Sequence, residues 1–144
     1  MQTMLLIFSF LSLTSVPDSE NIEDLQAIEK AIQHFVKKAD QRDATALEAI
    51  LHDEFRAIIN GLFGSKEVSI LSKDSYLAAL NTGKIGGDQR DVQIHSISID
   101  GQNAVVNATF TGKELTFRTF IQLVKEDTQA WKLISDMPVV GKKE

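Results

Sequence analysis

The chain of 144 residues is 43% hydrophobic and 24% charged, a balance typical of one globular domain and unlike that of a disordered chain. Its net charge of −5 argues against nucleic-acid binding, because phosphate recognition needs a basic patch and the sequence shows none. The sequence contains no cysteine, which excludes disulfide bonds, thiolate nucleophiles and zinc–thiolate sites.

The first segment is an apolar run at residues 4–13, MLLIFSFLSL. It is too short to span a bilayer, but its length is typical of the hydrophobic part of a signal peptide. We therefore expect residues 1–20 to direct export to the periplasm or the medium, with the mature chain starting within residues 16–21. The alternative is an N-terminal arm that packs on the domain or on a partner, in a protein that stays in the cytoplasm.

Two helices are predicted next. Apolar residues recur at steps of three and four between Ile22 and Ala39, which predicts one long amphipathic helix. Asn21 is expected to cap the N-terminus of this helix. Asp43 is expected to cap a second, short helix over residues 44–51, which is rich in alanine and leucine.

The remaining elements are mostly strands. The pattern predicts strands at residues 54–60 and 67–71, separated by the turn NGLFG, and Ser72 as the cap of a short helix over residues 76–80. Turn-forming segments then separate the last four strands, which are expected at residues 91–99, 104–112, 115–126 and 131–139.

The first of these four strands changes the phase of its alternation at His95–Ser96, which predicts a β-bulge. A bulge bends a sheet, and helices on the concave side of a bent sheet enclose a cone-shaped cavity. The sequence therefore predicts a single α+β domain over residues 21–141. Its curved, mixed or antiparallel sheet should wrap around the N-terminal helices.

Four segments of the sequence carry a resemblance to known proteins: ADQRDATALEAILHDEF, SKDSYLAALNTGKIGG, VQIHSISIDGQNAVVNATF and LTFRTFIQLVKEDTQAWKLIS. Over residues 22–140 the chain resembles the nuclear transport factor 2-like (cystatin-like) superfamily, and within it the SnoaL-like proteins described as "putative lumazine-binding". The resemblance implies a cystatin-like roll, a homodimer packed through its sheets, and one pocket per subunit for a small, mostly apolar molecule. It implies no reaction, because relatives include both enzymes and binding modules.

Alternation along the last two strands suggests which face of the sheet is outward. The purely apolar face of each strand should pack on the helices, which leaves the mixed faces to water or to a second subunit. We therefore expect Arg118 and Asp136 to form an interface ion pair, near the point where Pro138 weakens the pairing of the last strand. The predicted interface residues are Arg118, Phe120, Gln122, Ile134 and Asp136.

Candidates for chemistry in the pocket are few. An isomerase or cyclase needs a general base and a hydrogen-bond donor for the developing oxyanion. The candidate bases are His95, Asp136 and Glu54. The candidate ligand contacts are Tyr76, Phe63, His95 and Trp131, and Phe63 would form a lid or a dimer contact at the tip of its hairpin.

The spacing of the histidines indicates no metal site, and no motif indicates a cofactor. Three interpretations of the function remain open. The first is an exported protein that binds a small, mostly apolar ligand, and the second is an isomerase, dehydratase or cyclase with a carboxylate or histidine base. The third is a non-catalytic dimeric module whose own side chains fill the cavity. Few polar residues are expected on the inward faces, which favours the first and third interpretations.

Overall fold

The computed structural model describes residues 19–127 and 130–144. The apolar run at residues 4–13, and with it the expectation of export, lies outside the described residues. The described chain runs in the order α1 Ser19–Asp40, α2 Ala44–Ile50, β1 Leu51–Asn60, a 3-10 turn Leu62–Gly64, β2 Val68–Ser72, α3 Lys73–Asn81, β3 Asp91–Asp100, β4 Asn103–Thr111, β5 Leu115–Lys125 and β6 Trp131–Lys142. Within these residues, no helix has the length and apolar character that a membrane span requires.

Side-chain caps fix the starts of the short helices. The Asp43 carboxylate accepts a hydrogen bond of 3.1 Å from the backbone N–H three residues later and caps α2. The Ser72 hydroxyl does the same at 3.3 Å for α3, so both predicted caps are confirmed. Asn21 lies inside α1, which begins at residue 19, so its prediction as the N-cap is wrong.

The six strands form one open, mixed sheet in the order β2–β1–β6–β5–β4–β3. Neighbouring strands are antiparallel except β1 and β6, which run parallel with Arg56 beside Ser135 and Ala57 beside Asp136. This parallel contact joins the first hairpin of the chain to the C-terminal meander. The α+β class with helices against a mixed sheet, as the sequence predicts, is confirmed.

The helices bury the apolar face of the sheet. The side chains of α1 that are at most 1% exposed are Ile28, Ile32, Phe35, Val36 and Ala39. The fully buried side chains that the strands contribute to the same core include Phe55, Val106, Phe110, Ile121, Leu123 and Leu133. Burial of each large apolar side chain contributes about 1.5–3 kcal/mol, so packing on the sheet, more than helix propensity, holds α1 in place.

Two β-bulges decide which side chains face the helices. The first lies at His95, between the paired residues Ile94 and Ser96 of β3, and it confirms the predicted bulge. Ile94 before the bulge and Ile97 after it both keep their side chains inward, and His95 itself points to the opposite, exposed face.

The second bulge lies in β6, where Ile134 is the extra residue between the paired Leu133 and Ser135. One extra residue reverses the alternation of the strand. Asp136 therefore faces the helices and is only 8% exposed, whereas Arg118 stays on the exposed face. The prediction that Asp136 points outward and pairs with Arg118 is wrong for this reason.

The last strand continues past Pro138, the residue at which the sequence predicted that its pairing would weaken. Pro138 lies opposite Thr119 in the register of β5 and β6, and β6 continues to Lys142. Its buried ring faces the same side as Asp136 and contributes to the wall of a cavity.

Candidate ligand-binding site

A cavity of about 360 Å³ opens between the C-terminal end of α1, the loop at residues 82–90 and the strands β1, β5 and β6. The volume lies in the range of small-molecule sites. Apolar side chains form most of the wall, among them Ala57, Ile59, Leu71, Phe117, Pro138 and Val140. The charged and hydroxyl-bearing residues of the wall are Asp40, Tyr76, Lys84, Asp88, Arg90 and Asp136.

Asp136 is the buried carboxylate of this cavity. Its Oδ1 atom accepts a hydrogen bond of 2.5 Å from the Thr119 hydroxyl, which is itself buried. Burial raises the pKa of Asp136 to about 6, and the hydrogen bond from Thr119 and the charge of Arg90 offset only part of this increase. The side chain can therefore exist as an acid or as a carboxylate near neutral pH, which a general acid–base residue requires.

Tyr76 lies on α3 and brings a second ionisable group to the cavity. Its ring packs edge-on against Phe55 at 5.4 Å between centroids and stacks near Phe35 at 6.2 Å. Burial, and then the charge of Asp136, raises the pKa of the hydroxyl above its ordinary value. The hydroxyl therefore stays protonated and can donate a hydrogen bond to a ligand.

Arg90 and Asp40 form the third polar feature of the wall. Arg90 Nε lies 2.6 Å from Asp40 Oδ1, and the backbone N–H of Arg90 donates to Asp40 Oδ2 at 2.8 Å. The guanidinium also lies over the rings of Phe117 and Phe110, at 5.0 and 5.5 Å from their centroids. These contacts on two sides fix the position of the cation in the cavity wall.

Arg42 fastens the loop at residues 82–90 to the end of α1. Its guanidinium donates to the carbonyl oxygens of Gly83, Ile85 and Gly86 at 3.1–3.3 Å. A Cβ atom on Gly86 would lie well inside van der Waals contact with the carbonyl oxygen of Ala39. The loop therefore approaches α1 as closely as only glycine allows, and it forms a fixed wall of the cavity.

The turn between β1 and β2 contributes Leu62 and Phe63 to the cavity wall. Phe63 is 66% exposed and has a φ of 51°, a conformation that costs free energy in residues other than glycine. Gly61 and Gly64 on either side also have positive φ values. Phe63 therefore lies at the edge of the cavity, and its role as a ligand contact or lid stays a prediction.

Other predicted ligand and catalytic residues lie away from this cavity. His95 is on the exposed face of the sheet, where its Nε2 atom lies 2.7 Å from the Thr109 hydroxyl oxygen. Glu54 is exposed and pairs with Arg56 at 3.1 Å. Neither candidate base lines the cavity. The sheet itself lies between His95 and the helices, and the Glu54 side chain is directed to solvent.

Trp131 is buried at the opposite end of α1. Its Nε1–H donates to the carboxylate of Asp24 at 2.9 Å, and Lys125 donates to the same carboxylate at 2.8 Å. These hydrogen bonds lower the pKa of Asp24 below its ordinary value. Asp24 and Ala39 are fifteen residues apart on one helix, about 22 Å, so the Trp131 side chain does not line the cavity.

The exposed face of the sheet carries a band of large apolar side chains. Phe120 is 52% exposed and lies opposite Met137, which is 47% exposed. The other exposed apolar side chains of β2, β4 and β6 are Val68, Ile70, Val105 and Val139. Arg118 and Gln122 accompany Phe120 on this face as predicted, whereas Asp136 does not.

Sequence reasoning did not identify Arg90, Asp40 and Thr119 as parts of one site. Arg90 precedes a strand and Asp40 ends a helix fifty residues earlier, so no local pattern connects the two residues. The sequence could have indicated Thr119, an uncharged polar residue placed between the inward Phe117 and Ile121 in the alternation of its strand. Within the described residues, no group of three histidine, aspartate or glutamate side chains is arranged to hold a metal ion.

Most of the chain matches the model of one protein family. Residues 23–137 match the model of the family described as "Putative lumazine-binding". No curated protein sequence matches the chain significantly.

Solved structures share the fold at low identity. An NTF2-like protein of unknown function from Silicibacter pomeroyi has a TM-score of 0.73 at 17% identity, and the alignment covers 84% of this chain and 98% of that one. A ketosteroid isomerase-like protein from Erwinia carotovora has a TM-score of 0.66 at 16% identity, covering 85% and 98%. A protein with a cystatin-like fold from Nostoc punctiforme has a TM-score of 0.68 at 14% identity, covering 83% and 92%. At these identities the likeness establishes the NTF2-like, cystatin-like fold.

Proposed function

Because the chain belongs to the family described as "Putative lumazine-binding", we propose that it binds a small, mostly apolar organic molecule in the cavity between its helices and its sheet. The observation that carries this proposal is the open volume of about 360 Å³ with apolar walls and a few buried polar groups. A module that fills its cavity with its own side chains would leave no such space.

The single tyrosine of the chain makes binding measurable. Tyr76 lies in the cavity wall and is the only tyrosine in the sequence, so labelling with 3-fluorotyrosine gives one ¹⁹F resonance that reports on the cavity. Lumazine is the first ligand to test, since the family description names it. We expect the resonance to shift in a saturable way as lumazine is added.

A matched pair of variants locates the binding. Ala57→Leu adds bulk inside the cavity, and Ala78→Leu makes the same change on the exposed side of α3. The first variant should weaken binding and the second should leave it unchanged. Native mass spectrometry of the purified protein, repeated after denaturation, would identify a ligand retained from the cell. An absence of retained mass together with an unshifted resonance would contradict the proposal.

A second function, catalysis, is favoured by one specific observation. Asp136 and the Tyr76 hydroxyl lie in the wall of one mostly apolar cavity, so a base and a hydrogen-bond donor are both available to a bound carbonyl compound. An isomerase would use Asp136 to remove a proton next to the carbonyl while Tyr76 donates to the carbonyl oxygen. The test is NMR detection of hydrogen–deuterium exchange in cyclic ketones, and equal rates for the wild type and Asp136→Asn would exclude it.

We also propose that two copies associate through the exposed face of the sheet. Support comes from the band of apolar side chains around Phe120 and Met137, because exposed patches of this kind mark interaction sites. Phe120→Lys should convert the dimer to a monomer in sedimentation velocity. Ile22→Lys, which charges an exposed isoleucine on α1, is the control and should leave the dimer intact. A wild-type monomer would refute the proposal.

Export is a further proposal, and it is supported by the length and position of the apolar run at residues 4–13. The mature mass of the protein from a periplasmic fraction of its host tests it. Loss of roughly the first twenty residues would agree with export, and the full mass in the cytosol would contradict it.

A further inference from the structure

The carboxylate of Asp136 is only half satisfied by the protein. Oδ1 accepts a hydrogen bond from Thr119, and no described residue donates to Oδ2. In the part of the chain that the structure describes, no fully buried side-chain oxygen or nitrogen lacks a hydrogen-bond partner. Oδ2 therefore keeps contact with the open cavity, where a ligand atom can reach it.

The charged residues around Asp136 give its carboxylate no cation as a direct partner. Arg90 is bound to Asp40, which faces it from α1. Asp88 accepts a hydrogen bond from the backbone of Lys113, and Lys84 is exposed at the edge of the loop. Among the described residues, no lysine, arginine or histidine nitrogen lies within 4.0 Å of the Asp136 carboxylate. A buried carboxylate in this position is stabilised by a positive charge or an N–H donor.

We infer that the ligand of this cavity supplies the missing partner, as a protonated amine or a cationic ring N–H that donates to Asp136 Oδ2. This inference rests on the proposed function and adds the chemical class of the ligand. The rest of the ligand is apolar, since the side chains that line the cavity are mostly aromatic and aliphatic, with Phe117 and Phe63 among them. The neutral hydroxyl of Tyr76 allows one further hydrogen bond and adds no charge.

A pair of probes that differ in one group tests the charge. The probes are 2-naphthylmethylamine, which is a cation throughout the pH range used, and 2-naphthylmethanol, which is neutral and of nearly the same size. Binding of each is followed through the ¹⁹F resonance of fluorotyrosine at position 76, at about pH 5 and about pH 7.5, on the two sides of the Asp136 pKa of about 6.

The expected result follows from the ionisation of Asp136. The ionised fraction rises from about a tenth to nearly one between the two pH values, so the amine should bind about tenfold more tightly at the higher pH. The alcohol should change by less than about twofold over the same range. In Asp136→Asn the amine should lose its pH dependence. Asp91→Asn, the same change at an exposed aspartate at the start of β3, should keep it.

The possible results separate the two proposals. Binding of the alcohol without tighter binding of the amine at higher pH would overturn the inference and leave the proposed function standing. Equal pH dependence in the wild type and Asp136→Asn would overturn the inference as well. If neither probe binds, the cavity does not accept flat apolar molecules, and the proposed function fails together with the inference.

Discussion

Replacing Asp136 with asparagine should change the pH dependence of the stability of the protein. Burial raises the pKa of this carboxyl from its ordinary value of 3.8 to about 6 in the folded state. Asparagine has nearly the same shape and stays neutral. The substitution therefore removes the charge and leaves the cavity and its packing intact.

The magnitude follows from the two pKa values. Because the folded-state pKa is the higher one, the proton on Asp136 favours the folded state. Its contribution is fully present below about pH 4 and is lost as the pH rises through about 6. The increase in pKa corresponds to about 3 kcal/mol, an upper limit because water can enter the cavity. Asparagine forms a weaker hydrogen bond with Thr119, which costs about 1 kcal/mol. Near pH 8 the variant should be more stable than the wild type by up to about 2 kcal/mol, and near pH 4 it should be less stable by about 0.5 kcal/mol.

Urea unfolding of both proteins at intervals between about pH 4 and pH 8 measures this difference, and the other ionisable groups cancel in the comparison. Asp91→Asn, a change on the exposed face, is the control and should differ from the wild type by a small, constant amount. If the difference between the wild type and Asp136→Asn is the same at every pH, the carboxyl ionises as it would in water. The description of Asp136 as the buried acid of the site would then be refuted.

Three further changes test the construction of the cavity wall. Arg42→Ala removes three hydrogen bonds to the loop at residues 82–90, which should lower the free energy of unfolding by about 1–2 kcal/mol. Hydrogen exchange of the loop amides should become faster, and unchanged exchange would show that Arg42 does not hold the loop in place. Gly86→Ala places a methyl group against the carbonyl of Ala39, and a loss of at least about 2 kcal/mol in denaturant unfolding is expected. A stability equal to that of the wild type would mean that the loop is free to move away. Asp43→Ala removes the cap of α2 and should cost about 1 kcal/mol, most of which Asp43→Ser should restore.

The local elements of this fold could be predicted from the sequence. The stripe from Ile22 to Ala39 indicates a helix because its period is set by the helix alone, and Asp43 and Ser72 mark helix starts because a cap bonds within three residues. The bulge at His95 could also be predicted from nearby residues. The apolar residues before and after His95 alternate in opposite phase, and this change of phase indicates the bulge.

The candidate site was predicted only in part. Tyr76 and Phe63 line the cavity as expected. Tyr76 lies on a short helix and Phe63 at a hairpin tip, and both elements pack next to the open end of the sheet. Trp131 was expected there as well, but it lies at the far end of α1, where Asp24 accepts its hydrogen bond. The alternation of side chains predicts which face of the sheet each residue occupies. It does not predict how far along the strand a residue lies from the cavity.

The sequence by itself determined the class of the domain, the order of its elements and which strand faces are apolar, since each depends on residues close together in the chain. The tertiary structure decided the orientation of Asp136. The bulge at Ile134 is defined by the register between β6 and β5, and one extra residue moves every later side chain to the other face. It also decided the pairing of Arg90 with Asp40, which depends on how the loop at residues 82–90 packs against the end of α1. Contacts between residues distant in the chain carry no local period, and the polar groups of this cavity are held by contacts of that kind.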